Sequence, residues 1–286
     1  MALIISTNLA SLNAQRNLAV NQGALDRSVQ RLSSGLRINQ AADDAAGLSI
    51  SERLRAFTGS MHQAIRNAQD GVSLIQTTEG SLTQIGSILT RMRELATQAA
   101  SGTLDATARA ALDTEYRQLI SEIDRIANVT EFNGVRLLDG STTAAGGIGT
   151  TGVRLQVGFR ATANDSITVL SGVVTATASA IGIHGSLTAI ATSEAALSAL
   201  PAVDSAIVTI AGRRGELGAF QNRLGTTISN LRIASENFTA ADSRIRDADF
   251  AAETAIFTRN QILVQAATAI LAQANIIPQN ALTLLR

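Results

Sequence analysis

Leucine returns every seven residues near the start of the chain, at Leu18, Leu25 and Leu32, with Val29 and Leu36 in a companion seam. A repeat of seven marks an α-helix that packs along one narrow stripe. Gly35 ends this helix, and Leu36 to Gln40 reads as a connector. Asp43 or Asp44 then caps a second helix, because a carboxylate accepts from the free N–H groups of a first turn. That helix runs to about Ala100 on Ile75, Leu82 and Leu89, with Ile85 and Met92 beside them. Gly59, Gly71, Gly80 and Gly86 lie inside it; each costs roughly 1 kcal/mol against Ala. Close approach of neighbouring helices is the expected compensation. Ser101-Gly102 breaks the pattern. A third helix follows on Leu112, Tyr116, Leu119, Ile123 and Ile126, with Asp113 and Arg117 placed to pair one turn apart.

From Val129 the helical period stops. Asn133-Gly134 and Asp139-Gly140 are turn signals. Val153 to Val157 and Ile167 to Val169 alternate as strands. Around and after them, from Ser141 to about Leu200, charge and large apolar residues are scarce. A hairpin with a loosely structured, exposed insert is expected there. The period of seven then resumes on Leu217, Leu224, Leu231, Phe238 and Ile245. After Arg246-Asp247-Ala248-Asp249 a second seam follows in a shifted phase, on Ile256, Leu263, Ile270 and Ile277. A helix from about Ala202 to Arg246 would be roughly 65 Å long, which suits a rod. The fold class is therefore mainly α: a long-helix coiled-coil bundle or rod with a small β-hairpin region and a short insert.

Composition agrees with thin packing between long helices. The 286 residues hold no Trp, no Cys, one Tyr and two Pro. Aromatics usually fill thick cores and ligand pockets. No Lys occurs, so all strong bases are Arg, which pair with carboxylates through a planar fork. The formal net charge is zero, which argues against a nucleic-acid partner and removes long-range repulsion between copies. Lack of Cys excludes a disulfide scaffold and thiol catalysis. The first residues have neither a basic region nor a continuous apolar run, so no Sec signal peptide is expected. From Asn260 to Leu285 there is no charge, yet seven Asn and Gln side chains interrupt the stretch. A membrane span needs roughly 20 predominantly apolar residues, so no membrane insertion is expected.

Candidate chemistry is sparse. Gly147 to Gly152 spells G-x-G-x-x-G, but a polar loop precedes it and a strand follows, whereas a phosphate cradle needs a strand before and a helix after. It reads as a loop. His62 and His184 lie in different segments without Cys or clustered carboxylates, so no metal site is expected. No arrangement for nucleophilic catalysis and no cofactor site emerges, and the chain does not read as an enzyme. The amphipathic ends are the informative feature. They can bury their seams against other copies, giving a helical filament if the contact does not close, or against each other in a monomer. Both readings stay open on the pattern alone.

Several longer motifs carry a resemblance. Asn8 to Leu18 (NLASLNAQRNL), Arg31 to Asn39 (RLSSGLRIN) and Ala42 to Leu48 (ADDAAGL) resemble the N-terminal region of bacterial flagellins, as does Arg91 to Ala96 (RMRELA). Phe132-Asn133-Gly134 is similar to that family's first turn. Leu217 to Leu224 (LGAFQNRL), Ser243 to Asp249 (SRIRDAD) and Leu271 to Asn275 (LAQAN) resemble its C-terminal region, with the close Pro278-Gln279-Asn280 and Leu284-Leu285-Arg286. The likeness covers about residues 1 to 140 and 202 to 286.

The resemblance implies a secreted structural subunit of the flagellar filament, exported unfolded through the flagellar apparatus. It implies residues 1–42 and 248–286 as inner coiled-coil segments. Residues 43–170 and 202–247 would form a rod domain, and 171–201 a short variable surface insert. Leu18, Leu25, Leu32, Leu231, Phe238, Ile245, Ile256, Leu263, Ile270 and Ile277 are the expected polymerisation interface. The implied partners are other copies, an export chaperone, and the filament cap and hook-associated proteins. Arg91, Leu95 and Glu115 match the motif read by the flagellin-sensing Toll-like receptor, and are expected together on one surface. Lack of Lys removes any basis for lysine methylation. Alternatives are the hook–filament junction protein, which shares the terminal helices, and a secreted coiled-coil protein of another kind.

Overall fold

A computed structural model describes residues 8–140, 152–170 and 175–283, with the side chains of 186 and 277–283 left aside. Among the described residues five long helices dominate: α1 (Leu9–Ser34), α2 (Ala45–Ala100), α3 (Ala106–Val129), α4 (Ser193–Arg246) and α5 (Phe250–Thr283). Two small antiparallel pairs lie between α3 and α4: β1 (Glu131–Phe132) with β2 (Val135–Arg136), and β3 (Val153–Gln156) with β4 (Ser166–Val169). The fold is mainly α, as the periodicity requires. Two compact units result, Met1–Thr58 with Glu236–Arg286, and Gly59–Ser235.

In the first unit, α1 starts on Asn8, whose Oδ1 accepts from Ser11 N at 3.1 Å. It ends at Gly35, which takes the left-handed conformation with φ 72° and donates to the Arg31 carbonyl. A side chain is strained there and glycine is not. Both aspartates of the pair after the connector act: Asp44 Oδ1 accepts from Gly47 N at 2.9 Å, while Asp43 Oδ2 accepts from Asn39 N at 3.1 Å and Gln40 N at 3.0 Å. α1 and α5 run antiparallel. Asn8 Nδ2 donates to the Ala274 carbonyl at 2.9 Å, Ser11 Oγ to Asn275 Oδ1 at 2.8 Å, and Asn260 Nδ2 to Ser28 Oγ at 3.3 Å.

The second unit holds the main core. On α2 the residues at seven-residue spacing, Met61, Ala68, Ile75, Leu82, Leu89 and Ala96, are all fully buried. The expected companions Ile85 and Met92 are buried beside them. Fully burying an aliphatic side chain of this size is worth about 1.5–3 kcal/mol, so this face holds the helix despite its glycines. Gly71 alone of the four is closely approached: a Cβ there would collide with Leu155 Cδ1 of β3, whereas Gly59, Gly80 and Gly86 have open space. Helix-to-helix approach is therefore not what compensates those three. The turn joining β1 and β2 has φ 52° at Asn133 and 76° at Gly134. Two successive positive values are what a tight two-residue hairpin demands.

α4 begins nine residues earlier than its heptads suggest. Its Ala196, Ala199, Val203, Ala206 and Ile210 are buried, so small residues extend the inner face. Pro201 lies inside the helix. Leu197 and Pro201 are both exposed, so water can satisfy the carbonyl that Pro leaves unpaired. α4 also contains a window long and apolar enough to cross a membrane by length and composition alone; its inner face is core.

Residues 175–200 are not the loose, exposed insert read from their composition. Ala176, Ala178, Ile181, Ile183 and Ile190 are buried in the main core. Two α3 carboxylates hold their backbone: Asp113 Oδ1 accepts from Ile190 N at 2.6 Å, and Asp124 Oδ1 from Ala178 N at 2.8 Å. Ala176 N donates to the Leu138 carbonyl at 2.9 Å, and Arg213 donates to the Thr175 carbonyl. Of the G-x-G-x-x-G stretch, residues 147–151 lie outside the described residues.

Candidate assembly surface

The side chains buried along the α1–α5 pair are small or polar: Ser11, Ala14 and Ser28 on α1, Glu253, Ala267 and Ala274 on α5. Leu18, Leu25 and Leu32 are half-buried and share the helical face of these α1 residues. Their companions are therefore Asn21, Ser28 and Gly35, three residues on from each leucine, with Ala14 continuing the same stripe toward the start of the helix. Val29 is exposed and off the seam, so the companion seam of Val29 and Leu36 is corrected. The three leucines belong first to an intramolecular pair and only in part to a free surface.

On α5 the inward positions are Glu253, Asn260, Ala267 and Ala274, flanked by half-buried Phe257, Val264 and Leu271. Ile256, Leu263 and Ile270 stand three residues further on, about 60° round the helix. They are 38%, 41% and 60% exposed. Ile262 and Ile276 are exposed as well; single-phase heptad counting passes over them. Apolar side chains of this size are usually buried, and a contiguous exposed run marks an interaction surface. The Ile277 side chain lies outside the described set.

The upstream seam behaves differently. Leu217 and Leu224 are fully buried and Leu231 is 8% exposed, all covered by this chain itself. Leu231 is thus corrected from interface to core. Phe238 and Ile245 are half-buried, and the Phe238 ring lies 6.3 Å from that of Phe57. Near them Arg246 Nη1 meets Glu52 Oε1 at 3.1 Å.

Arg91 and Glu115 are brought together. Arg91 Nε donates to Glu115 Oε1 at 2.9 Å and Nη1 to Glu94 Oε2 at 3.0 Å. Glu115 and then Glu94 push the Arg91 guanidinium above its ordinary value. Leu95 is fully buried in the core, which corrects its place on this surface. Residues 91 and 95 are one turn apart, but the buried stripe of α2 includes Met92, Leu95 and Ala96 and excludes Arg91. The surface pair gains Glu94, which spacing could have supplied as an i,i+3 partner.

A mainly helical subunit with a packed core and an outward apolar stripe defines a self-associating structural protein. Residues 5–143 match the bacterial flagellin N-terminal helical region, and residues 200–285 the bacterial flagellin C-terminal helical region. A flagellin of Halalkalibacterium halodurans is 47% identical over 286 residues, covering 99% of this chain and 100% of the relative. A flagellin of Bacillus subtilis is 44% identical over 302 residues, covering 99% of each. Among solved structures, a flagellar hook-associated protein fold from Vibrio parahaemolyticus aligns with TM-score 0.59 at 17% identity, over 72% of this chain and 100% of that one. That likeness bears on fold alone. The chain belongs to the bacterial flagellin family. It is a secreted structural subunit of the flagellar filament and not an enzyme, and the junction-protein alternative is not favoured.

Proposed function

We propose that the filament is built through the outward stripe of α5, with Ile256, Leu263, Ile270 and Ile277 buried against other copies. The observation that carries this is the exposure of the first three at seven-residue spacing. An apolar stripe in water gains about 25 cal/mol for each Å² it buries, and it does so when set against a different patch of a second copy. A contact between unlike patches that does not close extends indefinitely. Leu263→Asp should abolish polymerisation while leaving the soluble subunit's circular dichroism and melting unchanged. Normal filaments from that variant would sink the assignment.

The same stripe supports a role for an export chaperone, which would cover α5 before assembly. Filament cap and hook-associated proteins would meet the terminal helices in the same manner. The Arg91–Glu115 pair, with Glu94, is the proposed receptor-recognition surface, supported by its exposure and by the motif around it. Arg91→Ala should lower signalling by monomers through the flagellin-sensing Toll-like receptor at least tenfold. Unchanged signalling would remove this surface from consideration.

A further inference from the structure

Residue types whose ordinary pKa lies between about 8 and about 12 are Cys, Tyr and Lys. This chain has no Cys, no Lys and a single Tyr, and all 23 of its strong bases are Arg. Its surface ion pairs are accordingly guanidinium–carboxylate pairs: Arg93 Nε to Asp204 Oδ1 at 2.6 Å, Arg125 Nη2 to Glu122 Oε1 at 2.6 Å, Arg246 Nη1 to Glu52 Oε1 at 3.1 Å. Their carboxylate partners push Arg91, Arg93 and Arg125 above the ordinary arginine value. By linkage, whatever those pairs contribute is lost only above that value.

Tyr116 is fully buried on α3. Its hydroxyl donates to the Leu187 carbonyl at 3.4 Å. One turn earlier on the same helix, the Asp113 carboxylate accepts from Ile190 N at 2.6 Å and from Arg117 Nε at 2.8 Å. The buried apolar cluster that includes the ring also includes Met92, Leu95 and Ala96 of α2 and Ala196 and Ala199 of α4. The charged α2 residues Arg91 and Glu94 pair with each other on the exposed side, where Arg91 also meets Glu115. Among the described residues, Asp113 is the charge that acts on the phenol. Both Leu187 and Ile190 lie in the segment that returns from the hairpins to α4.

We propose that alkali leaves the Gly59–Ser235 unit unchanged until its single tyrosine ionises, and that the segment 175–190 is then the first part of that unit to come away. A phenolate cannot donate to the Leu187 carbonyl, and it sets a second anion beside Asp113, the residue that holds Ile190. The segment loses one anchor and has another placed under repulsion.

The sign follows from linkage. Burial first, and the Asp113 carboxylate second, push Tyr116 from the ordinary 10 up to about 12. The unfolded chain therefore ionises first, and unfolding releases a proton in that window. Stability is fully present below about pH 10 and falls toward pH 12, with the unfolding constant rising roughly tenfold per pH unit. Arg213, which donates to the Thr175 carbonyl at the other end of the segment, is pushed down by burial, with Glu216 opposing. A depressed base binds protons less tightly in the fold than out of it, so alkali costs no stability there.

The test is an alkaline titration of the full chain, read by tyrosinate ultraviolet absorbance and by limited proteolysis in parallel. With one Tyr and no Trp, the absorbance reports one residue. The expected result is a tyrosinate signal that stays flat through the ordinary tyrosine pKa of about 10 and rises, together with cleavage within 175–190, only toward about pH 12. Tyr116→Phe should keep the segment protected at least one pH unit further. The combined variant Arg93→Lys, Arg125→Lys, Arg246→Lys adds amines that titrate around the ordinary lysine pKa of about 10.4, and should lose stability more steeply than the parent above that pH. Tyrosinate appearing near its ordinary pKa, alkali-induced cleavage within 59–235 starting outside 175–190, or a lysine variant that tracks the parent would each overturn the proposal. If the phenylalanine variant does not fold, the parent's absorbance and cleavage order decide alone. Filament formation at neutral pH is scored separately, and its failure would count against the assembly surface only.

Discussion

Asp113 shows how one carboxylate can organise two distant parts of the chain. It sits 8% exposed on α3, pairs with Arg117 four residues on, and accepts from the buried N–H of Ile190. A buried N–H left without a partner costs about 1–3 kcal/mol. Asp113→Ala should therefore destabilise the subunit by about that amount in urea unfolding, and should speed amide exchange at Ile190 and its neighbours more than elsewhere. Asp113→Asn keeps an acceptor and should recover part of the loss. Exchange that rose evenly along the chain would show that Asp113 does not act through this segment. The pairing with Arg117 is legible in the sequence, because i,i+4 neighbours meet on any helix. The bond to Ile190 is not, because nothing local distinguishes an aspartate that faces water from one that receives a returning strand. Leu95 is the reverse case: a recognised motif places it on a surface, and the burial stripe of α2 takes it inside.

At the scale of elements, the two seams of the C-terminal half separate cleanly. Leu231 is core and Leu263 is 41% exposed. Leu231→Asp should cost several kcal/mol by burying a carboxylate and should lower the melting temperature of the soluble subunit. Leu263→Asp should not. Equal melting of the two variants would mean that the two seams are not distinct in kind. Long helices with large apolar residues at strict intervals were readable: α2, α3 and the second half of α4 follow their heptads closely. Where alanine, serine or glycine takes the inner positions, periodicity counts nothing, and the face goes unseen. This is why the start of α4 and the true companions of Leu18, Leu25 and Leu32 escaped the pattern. The segment 175–190 escaped for another reason. It buries isoleucines without a helix or strand period, held by hydrogen bonds from residues more than fifty positions away.

The two units differ in what they bury. Gly59–Ser235 encloses Ile75, Leu82, Leu89, Met92, Tyr116 and Ile123 without exposure. In the other unit, among the described residues, Ile38 is the one large aliphatic that is buried; the rest of its buried set is alanine, serine, Gly47 and Glu253. Local opening is easiest where little apolar area is covered. Proteolysis of the soluble subunit should therefore remove residues before 58 and after 236 while the remainder resists, and incorporation into filaments should abolish the difference. Ends as resistant as the middle in the free subunit would contradict this.

A pair of helices whose fully buried side chains are mostly alanine and serine has a mechanical side too. Each step of separation along α1 and α5 breaks a few weak contacts, so the work is spread thinly over the whole length instead of being concentrated at one yield point. A machine that draws the chain by one end through a narrow conduit would meet low, even resistance there, and the first firm catch would come only at the isoleucines and leucines of α2.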